Sequence, residues 1–177
     1  MSLYIVSVKN RNKWYLVGLI FSFLGDVFLL KNGNMYFMLG LIAFLLSHIM
    51  YIKITTNFIK SKSISKIIIA ILPFLVFVIV LLSVLKSHLG EMLIPVIIYG
   101  IVISTFGIVA TLNYISNKTK ANLWLFFGAL FFIVSDSILA INKFYNPKEI
   151  FDFLIMLTYI IAQFLICKSM IGKSVSV

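Results

Sequence analysis

Residues 64–85 read ISKIIIAILPFLVFVIVLLSVL, and from Ile67 to Leu85 no side chain carries a charge. At a rise of about 1.5 Å per residue such a run extends about 28 Å as a helix, close to the thickness of a bilayer's hydrocarbon core. No soluble core requires an apolar run of that length. Where water is absent, every backbone N–H and C=O must be paired within the chain, which leaves helices or a closed barrel. A barrel strand is a short segment of alternating polarity, and this run does not alternate, so the reading is a membrane helix.

Working outward, five further runs read the same way: Trp14–Leu30, Met35–Phe58, Met92–Ile115, Leu123–Ile141 and Ile150–Cys167. The 62% hydrophobic content and mean hydropathy of +1.14 fit a chain whose solvent is lipid. The fold class is therefore all-α: a polytopic transmembrane bundle of about six helices, forming a single domain over 1–177. Trp14, Tyr36, Tyr51, Trp124 and Tyr145 fall near span ends, where amphipathic rings are favoured. Met1 to Lys13 lacks the apolar core and cleavage site of a signal peptide, and nothing there reads as removable.

The net charge of +10 resides almost wholly in the segments between these runs, which makes it a topology signal and not a nucleic-acid footprint. Lys9, Arg11, Lys13, Lys53, Lys60, Lys62, Lys66, Lys118, Lys120, Lys168 and Lys173 share one side. Only Lys31, Lys86, Lys143 and Lys148 lie on the other, with Glu91, Glu149 and Asp152. The positive-inside rule then makes both termini cytoplasmic, as an even number of spans requires. The single Cys167 excludes an internal disulfide and shows no metal-cluster spacing.

A repeat is visible at an offset of 110 residues. Trp14, Gly18, Phe21, Asp26 and Leu29 match Trp124, Gly128, Phe131, Asp136 and Leu139. Both segments run outward from the cytoplasm, so a parallel repeat sets the two aspartates at similar depth.

Apart from Asp152 at the outer end of the last span, Asp26 and Asp136 are the only acidic residues inside the spans, where an ionised Asp costs roughly 2.5–3.5 kcal/mol at a helix centre. The bland reading is a hydrogen-bonded pair facing the bundle interior; intramembrane carboxylates more often mark function. His48 is the only histidine in a span and shares a face with Tyr51, whereas His88 lies in a loop. A helix-locking hydrogen bond explains His48 taken alone, and with the two aspartates it becomes an acid/base candidate. Tyr159 and Gln163 share a face of the last helix, Tyr99 lies within the fourth span, and Ser135 adjoins Asp136. Counted from the outer ends, the aspartates lie about one turn deep, Tyr99 about two, and Tyr159, His48 and Gln163 deeper, compatible with one outward-opening cavity. The Gly18, Ser22, Gly25 stripe suits close helix approach more than nucleophilic chemistry. Neither a nucleophile elbow, a phosphate loop nor zinc spacing occurs, and acid/base work is what remains.

These residues lie in motifs with an ordered spacing. They are Phe21-Ser-Phe-Leu-Gly25-Asp26-Val-Phe-Leu-Leu30, then Gly40 to Tyr51 with Phe44 and His48, then Tyr99. Gly128 to Ala140 follows with Phe131, Ser135-Asp136 and Leu139-Ala140, and the last are Tyr159, Ala162-Gln163 and Leu165-Ile166. From Gly18 to Ile166 the pattern resembles the lysoplasmalogenase-like YhhN family of multi-pass membrane proteins. The usual family chain has about eight helices, so the resemblance implies a pair missing ahead of the Gly25-Asp26 helix. It also implies hydrolysis of the vinyl-ether bond of lysoplasmalogens, giving a fatty aldehyde and glycerophospho-ethanolamine or -choline.

That reaction needs a proton donor, an anion and a water. Desolvation and mutual repulsion leave one of two carboxyls in an apolar cavity protonated near neutral pH, while the other steadies the oxocarbenium ion, as in glycosidases. The sequence does not assign acid and base between Asp26 and Asp136; Asp136 is the first choice as donor. His48 would relay protons or orient the water, and Tyr51, Tyr99, Ser135, Tyr159 and Gln163 would bind substrate. No cofactor and no metal are expected. The partner is a lysophospholipid entering sideways from the membrane, with no nucleic acid and with room for a homo-oligomer. The expected location is a bacterial cell membrane. The alternatives are a proton-coupled small-molecule transporter or channel using the same Asp/His cluster, a non-catalytic scaffold, and a metal-assisted hydrolase using Asp26, His48 and Asp136. Against transport stands the lack of breaks in the aspartate helices, Pro73 and Pro95 being read as near the starts of their spans.

Overall fold

The computed structural model describes residues 2–59 and 63–175. Lys60 and Lys62 of the charge argument lie outside them. The order is α1 (Ser2–Ser7), α2 (Lys13–Leu29), α3 (Asn34–Thr56), α4 (Ile64–Leu85), a 3₁₀ turn (Gly90–Met92), α5 (Leu93–Ser116), α6 (Lys120–Phe144) and α7 (Glu149–Val175). Among the described residues there is no strand. Five helices are long and apolar enough to cross a membrane: Asn34–Thr56, Ile64–Leu85, Gly90–Ser116, Lys120–Phe144 and Glu149–Ser174.

The predicted first span, now α2, is shorter at 17 residues, about 25 Å. It nevertheless follows α3 over nearly its whole length. Lys53 lies 3.3 Å from the centre of the Trp14 ring at one end, and a Cβ on Gly40 would meet the Leu29 side chain at the other. In the middle Gly18 lies against Tyr51 and Gly25 against the Phe44 ring. A helix so paired reaches the same depth as its partner.

Local chemistry fixes the ends. Asn12 caps α2, its Oδ1 accepting from the N–H groups of Trp14 (3.0 Å) and Tyr15 (3.2 Å). Thr119 caps α6 by accepting from Asn122 N–H at 3.2 Å. Gly33 adopts φ 119°, which a side chain would resist, and so turns the chain sharply from α2 into α3. Pro73 lies well inside α4, not near its start. α4 is the most lipid-exposed helix, with Ile68, Ile69, Leu72, Leu75, Val76, Ile79 and Val80 all outward, and it packs mainly on α5.

The packing order is α2, α3, α5, α6, α7, each against the next. The two tightest hairpins are α2–α3 and α6–α7, whose first helices carry the two matched segments 14–29 and 124–139. Gly128 does for α7 what Gly18 does for α3: a Cβ there would meet Ile166 and the backbone oxygen of Ala162. The ring of helices does not close. The α2 and α7 backbones stand apart, bridged near the basic end by α1, whose Tyr4 ring meets Tyr15 edge-on at 4.6 Å, and further along by side-chain hydrogen bonds from Tyr159 to Asp26 and from Gln163 to Ser22. The sequence reading gave no structure to this N-terminal segment.

Candidate active site

Four aromatic side chains and a histidine fill the middle of the bundle. The His48 imidazole, fully buried, lies 4.5 Å from the Phe132 ring centre, 5.7 Å from Tyr99, 5.8 Å from Phe106 and 6.3 Å from Tyr51. Its Nδ1 is 2.8 Å from the Phe44 carbonyl oxygen one turn earlier. A carbonyl only accepts, so Nδ1 carries the hydrogen. Nε2 is buried without a hydrogen-bond partner among the described residues.

The two aspartates line different cavities beside this aromatic centre, each held by a tyrosine from another helix. Asp26 Oδ2 accepts from the Tyr159 hydroxyl of α7 at 3.0 Å. The network continues inward: Gln163 Nε2 donates to Tyr159 (3.3 Å) and to Ser22 Oγ (3.0 Å), and Tyr51 donates to Gln163 Oε1 (3.2 Å). Ser22 and Ser47 hydroxyls pair at 2.7 Å. Asp136 has a simpler setting, accepting from the Tyr99 hydroxyl of α5.

The single outward cavity expected from depth is two cavities. One, of about 50 Å³, is a narrow cavity lined from α3, α4, α5 and α6 and by Leu29 of α2, and it holds Asp136 and Tyr99 among Phe37, Phe44, Phe77 and Ile133. The other, of about 390 Å³, is the open cleft between α2 and α7 and holds Asp26, Ser22, Tyr159 and Gln163. Phe44 divides them. Its ring lines the first cavity, covers Gly25 beside Asp26, and meets Tyr159 edge-on at 5.8 Å. The physical reason is that the Phe44 ring of α3 stands between Gly25 of α2 and Phe132 of α6, so equal depth alone does not merge the spaces beside the two carboxyls.

Of the residues singled out from sequence, Asp26, Tyr51, Tyr159 and Gln163 form one network, and Asp136 and Tyr99 a separate pair. His48 lies between the two, hydrogen-bonded to neither carboxyl. Tyr51 is buried, not a ring at the membrane surface. Ser135 stands apart: its buried hydroxyl donates to the Ile155 carbonyl at 3.0 Å and ties α6 to α7. Ser47 was overlooked, although it precedes Tyr51 by four and so shares its face. Also overlooked was a polar knot at the basic end, where Asn113 Nδ2 donates to Thr55 O (2.9 Å), Asn122 Nδ2 to Asn113 O (3.1 Å) and Lys173 Nζ to Asn122 Oδ1 (2.5 Å). Among the described residues no three His, Cys, Asp or Glu side chains gather as metal ligands.

Comparison with curated proteins and with solved structures returns no match. Matched against protein families, residues 1–170 fit the YhhN family, nearly the whole chain and both aspartates with it. The chain belongs to the YhhN family.

Proposed function

We propose that the protein is a membrane hydrolase that cleaves the vinyl-ether bond of a lysoplasmalogen. The YhhN family is known for lysoplasmalogenase-type hydrolysis. The observation that carries the reading is the pair of intramembrane carboxyls in unlike settings, one in a narrow cavity among apolar rings and the other on an open cleft. Such a difference suits a division of acid and base roles, with Asp136 taken as the donor and Asp26 as the group that meets water.

In the proposed reaction Asp136 gives its proton to the β-carbon of the C=C bond, and the ether oxygen shares its lone pair to form the oxocarbenium ion. Asp26 takes a proton from water as that water adds to the α-carbon, giving a hemiacetal. On collapse the hemiacetal O–H proton passes to Asp136, the C–O bond to glycerol breaks, and the glycerol oxygen takes the proton from Asp26. One water is consumed, and both carboxyls regain their starting states. Both can act on one substrate only when the Phe44 ring turns aside and joins the cavities. Tyr99 and Tyr159 hold the carboxyls in position, and His48 fixes the aromatic wall through Phe44 and Phe132.

The test is incubation of the purified protein with a lysoplasmalogen and with the matching ester lysophospholipid, reading free aldehyde by mass spectrometry. Wild type should release aldehyde from the vinyl ether only, and Asp26→Asn or Asp136→Asn should lower the rate by about 10² or more, the range for loss of a general acid or base. No aldehyde from monodisperse protein, with proton-linked solute movement in sealed vesicles, would replace hydrolysis by transport.

A further inference from the structure

The cleft between α2 and α7 has more structure than an acid/base centre requires. Its polar groups cluster at one end: Asp26 and Tyr159, with Ser22 and Gln163 just inward. Its other end is mainly apolar, lined by Leu19, Phe164, Cys167 and Leu3 together with Tyr15. From Asp26 to Tyr15 along α2 the cleft extends about 16 Å at 1.5 Å per residue, the reach of a medium-length alkyl chain. Phe23 at 64% exposure and Phe164 at 50% flank it on the lipid side.

Carboxyl, amide and hydroxyl groups opening sideways into pure hydrocarbon are unfavourable, so the occupant must bring polar atoms to the depth of Asp26. It must also be apolar further in. A transmembrane helix fits poorly, because α1 packs on α7 at the inner end, where Leu3 lines the cleft, and takes up part of the length such a helix needs. A single-chain amphiphile meets both.

We propose that the α2–α7 cleft is a lateral binding groove for one single-chain phospholipid of the leaflet on the Asp26 side. Its glycerol and head group lie at Asp26 and Tyr159, and its chain follows Leu19, Phe164 and Leu3. This deepens the hydrolase reading by giving its substrate a seat and a route from the bilayer, but binding is measured apart from turnover.

The experiment uses the protein in lipid nanodiscs with an ester lysophosphatidylethanolamine carrying a photoreactive diazirine in its chain, adducts being mapped by mass spectrometry. An ester is not the bond the proposed chemistry cleaves, so labelling is independent of catalysis. Adducts should concentrate on the α2 and α7 peptides that hold Leu19 and Phe164 and should fall when unlabelled lysolipid competes. Leu19→Trp should lower labelling by about tenfold, since an indole and a bound chain cannot share the space in a close-packed groove. Val134→Trp, on the lipid-facing side of α6, should leave it unchanged. Adducts spread equally over the outward isoleucines of α4, or a cleft occupied by a second copy of the chain, would overturn the groove. Cleft labelling in a protein that releases no aldehyde from a lysoplasmalogen would overturn the hydrolase and leave the groove standing. Aldehyde release without cleft labelling would do the reverse.

Discussion

Gly25 and Phe44 form the contact on which the division of the site depends, and Gly25→Ala tests it. A Cβ at Gly25 would stand 2.6, 2.7 and 2.9 Å from three atoms of the Phe44 ring. Carbon atoms prefer about 3.5–4.0 Å, so the ring must move by about 1 Å. Overpacking of that kind costs about 1–3 kcal/mol. Against it, Ala is favoured over Gly inside a helix by about 1 kcal/mol. The single variant therefore lands anywhere from near zero to about 2 kcal/mol less stable, which decides little.

The double-mutant cycle with Phe44→Leu removes that ambiguity. Leu lacks the ring atoms that meet the new Cβ, so Gly25→Ala in that background should keep its helical gain without the clash. The coupling energy is predicted at about 1–3 kcal/mol, with the double variant more stable than the sum of the singles requires. Stability would be read by titrating SDS into mixed micelles and following loss of helix. Aldehyde release on the same samples shows whether displacing the ring changes turnover. Additivity within about 0.5 kcal/mol would mean that Phe44 does not cover Gly25, and the wall between the carboxyls would fall with it.

Tyr159→Phe removes the hydroxyl that donates to Asp26 and should lower the aldehyde rate by about tenfold, the scale of one hydrogen bond to a charged group; wild-type turnover would show that Tyr159 does not position Asp26. Ser135→Ala should leave turnover near wild type and cost only about 1 kcal/mol of stability, because its hydroxyl serves the Ile155 carbonyl; loss of activity in a folded variant would restore Ser135 to the site. If α2 crosses the membrane alongside α3, impermeant labels should reach cysteines added at Lys9 and Lys173, in a Cys167→Ser background, from the same face of sealed vesicles. Labelling from opposite faces would leave five crossings.

Fold class was legible because apolar length is a direct physical requirement of lipid, and α4 shows this most plainly: its predicted and observed limits are both Ile64–Leu85. The last helix was read to Cys167 but continues to Val175, since Lys168 and Lys173 reach outward over the Phe164 and Phe58 rings and need not end the helix. α1 was not legible because six residues carry too short a pattern, and it is held from outside by Tyr15 and by the Arg11 bond to the Ile5 carbonyl. In the site, pairs four apart within one helix were readable, as for Tyr159 and Gln163. Pairing across helices was not. Which tyrosine serves which aspartate depends on helix order around the bundle, and hydropathy does not encode that order.

The repeat shows how that order separates two like carboxyls. Each aspartate occupies the same place in its hairpin, three residues before the matched Leu29 or Leu139, and each hairpin is drawn together at the matched Gly18 or Gly128. Two equivalent helices would by themselves hold their carboxyls alike. What differs is the neighbour: α5, packed between the hairpins, brings Tyr99 to Asp136, whereas Asp26 meets Tyr159 of α7 across the cleft between α2 and α7. One carboxyl thereby lies in a narrow cavity and the other on a cleft. Acid/base chemistry needs just such unlike partners, so the break in symmetry follows from leaving the ring of helices open on one side, and closing that side would remove the distinction along with the entrance.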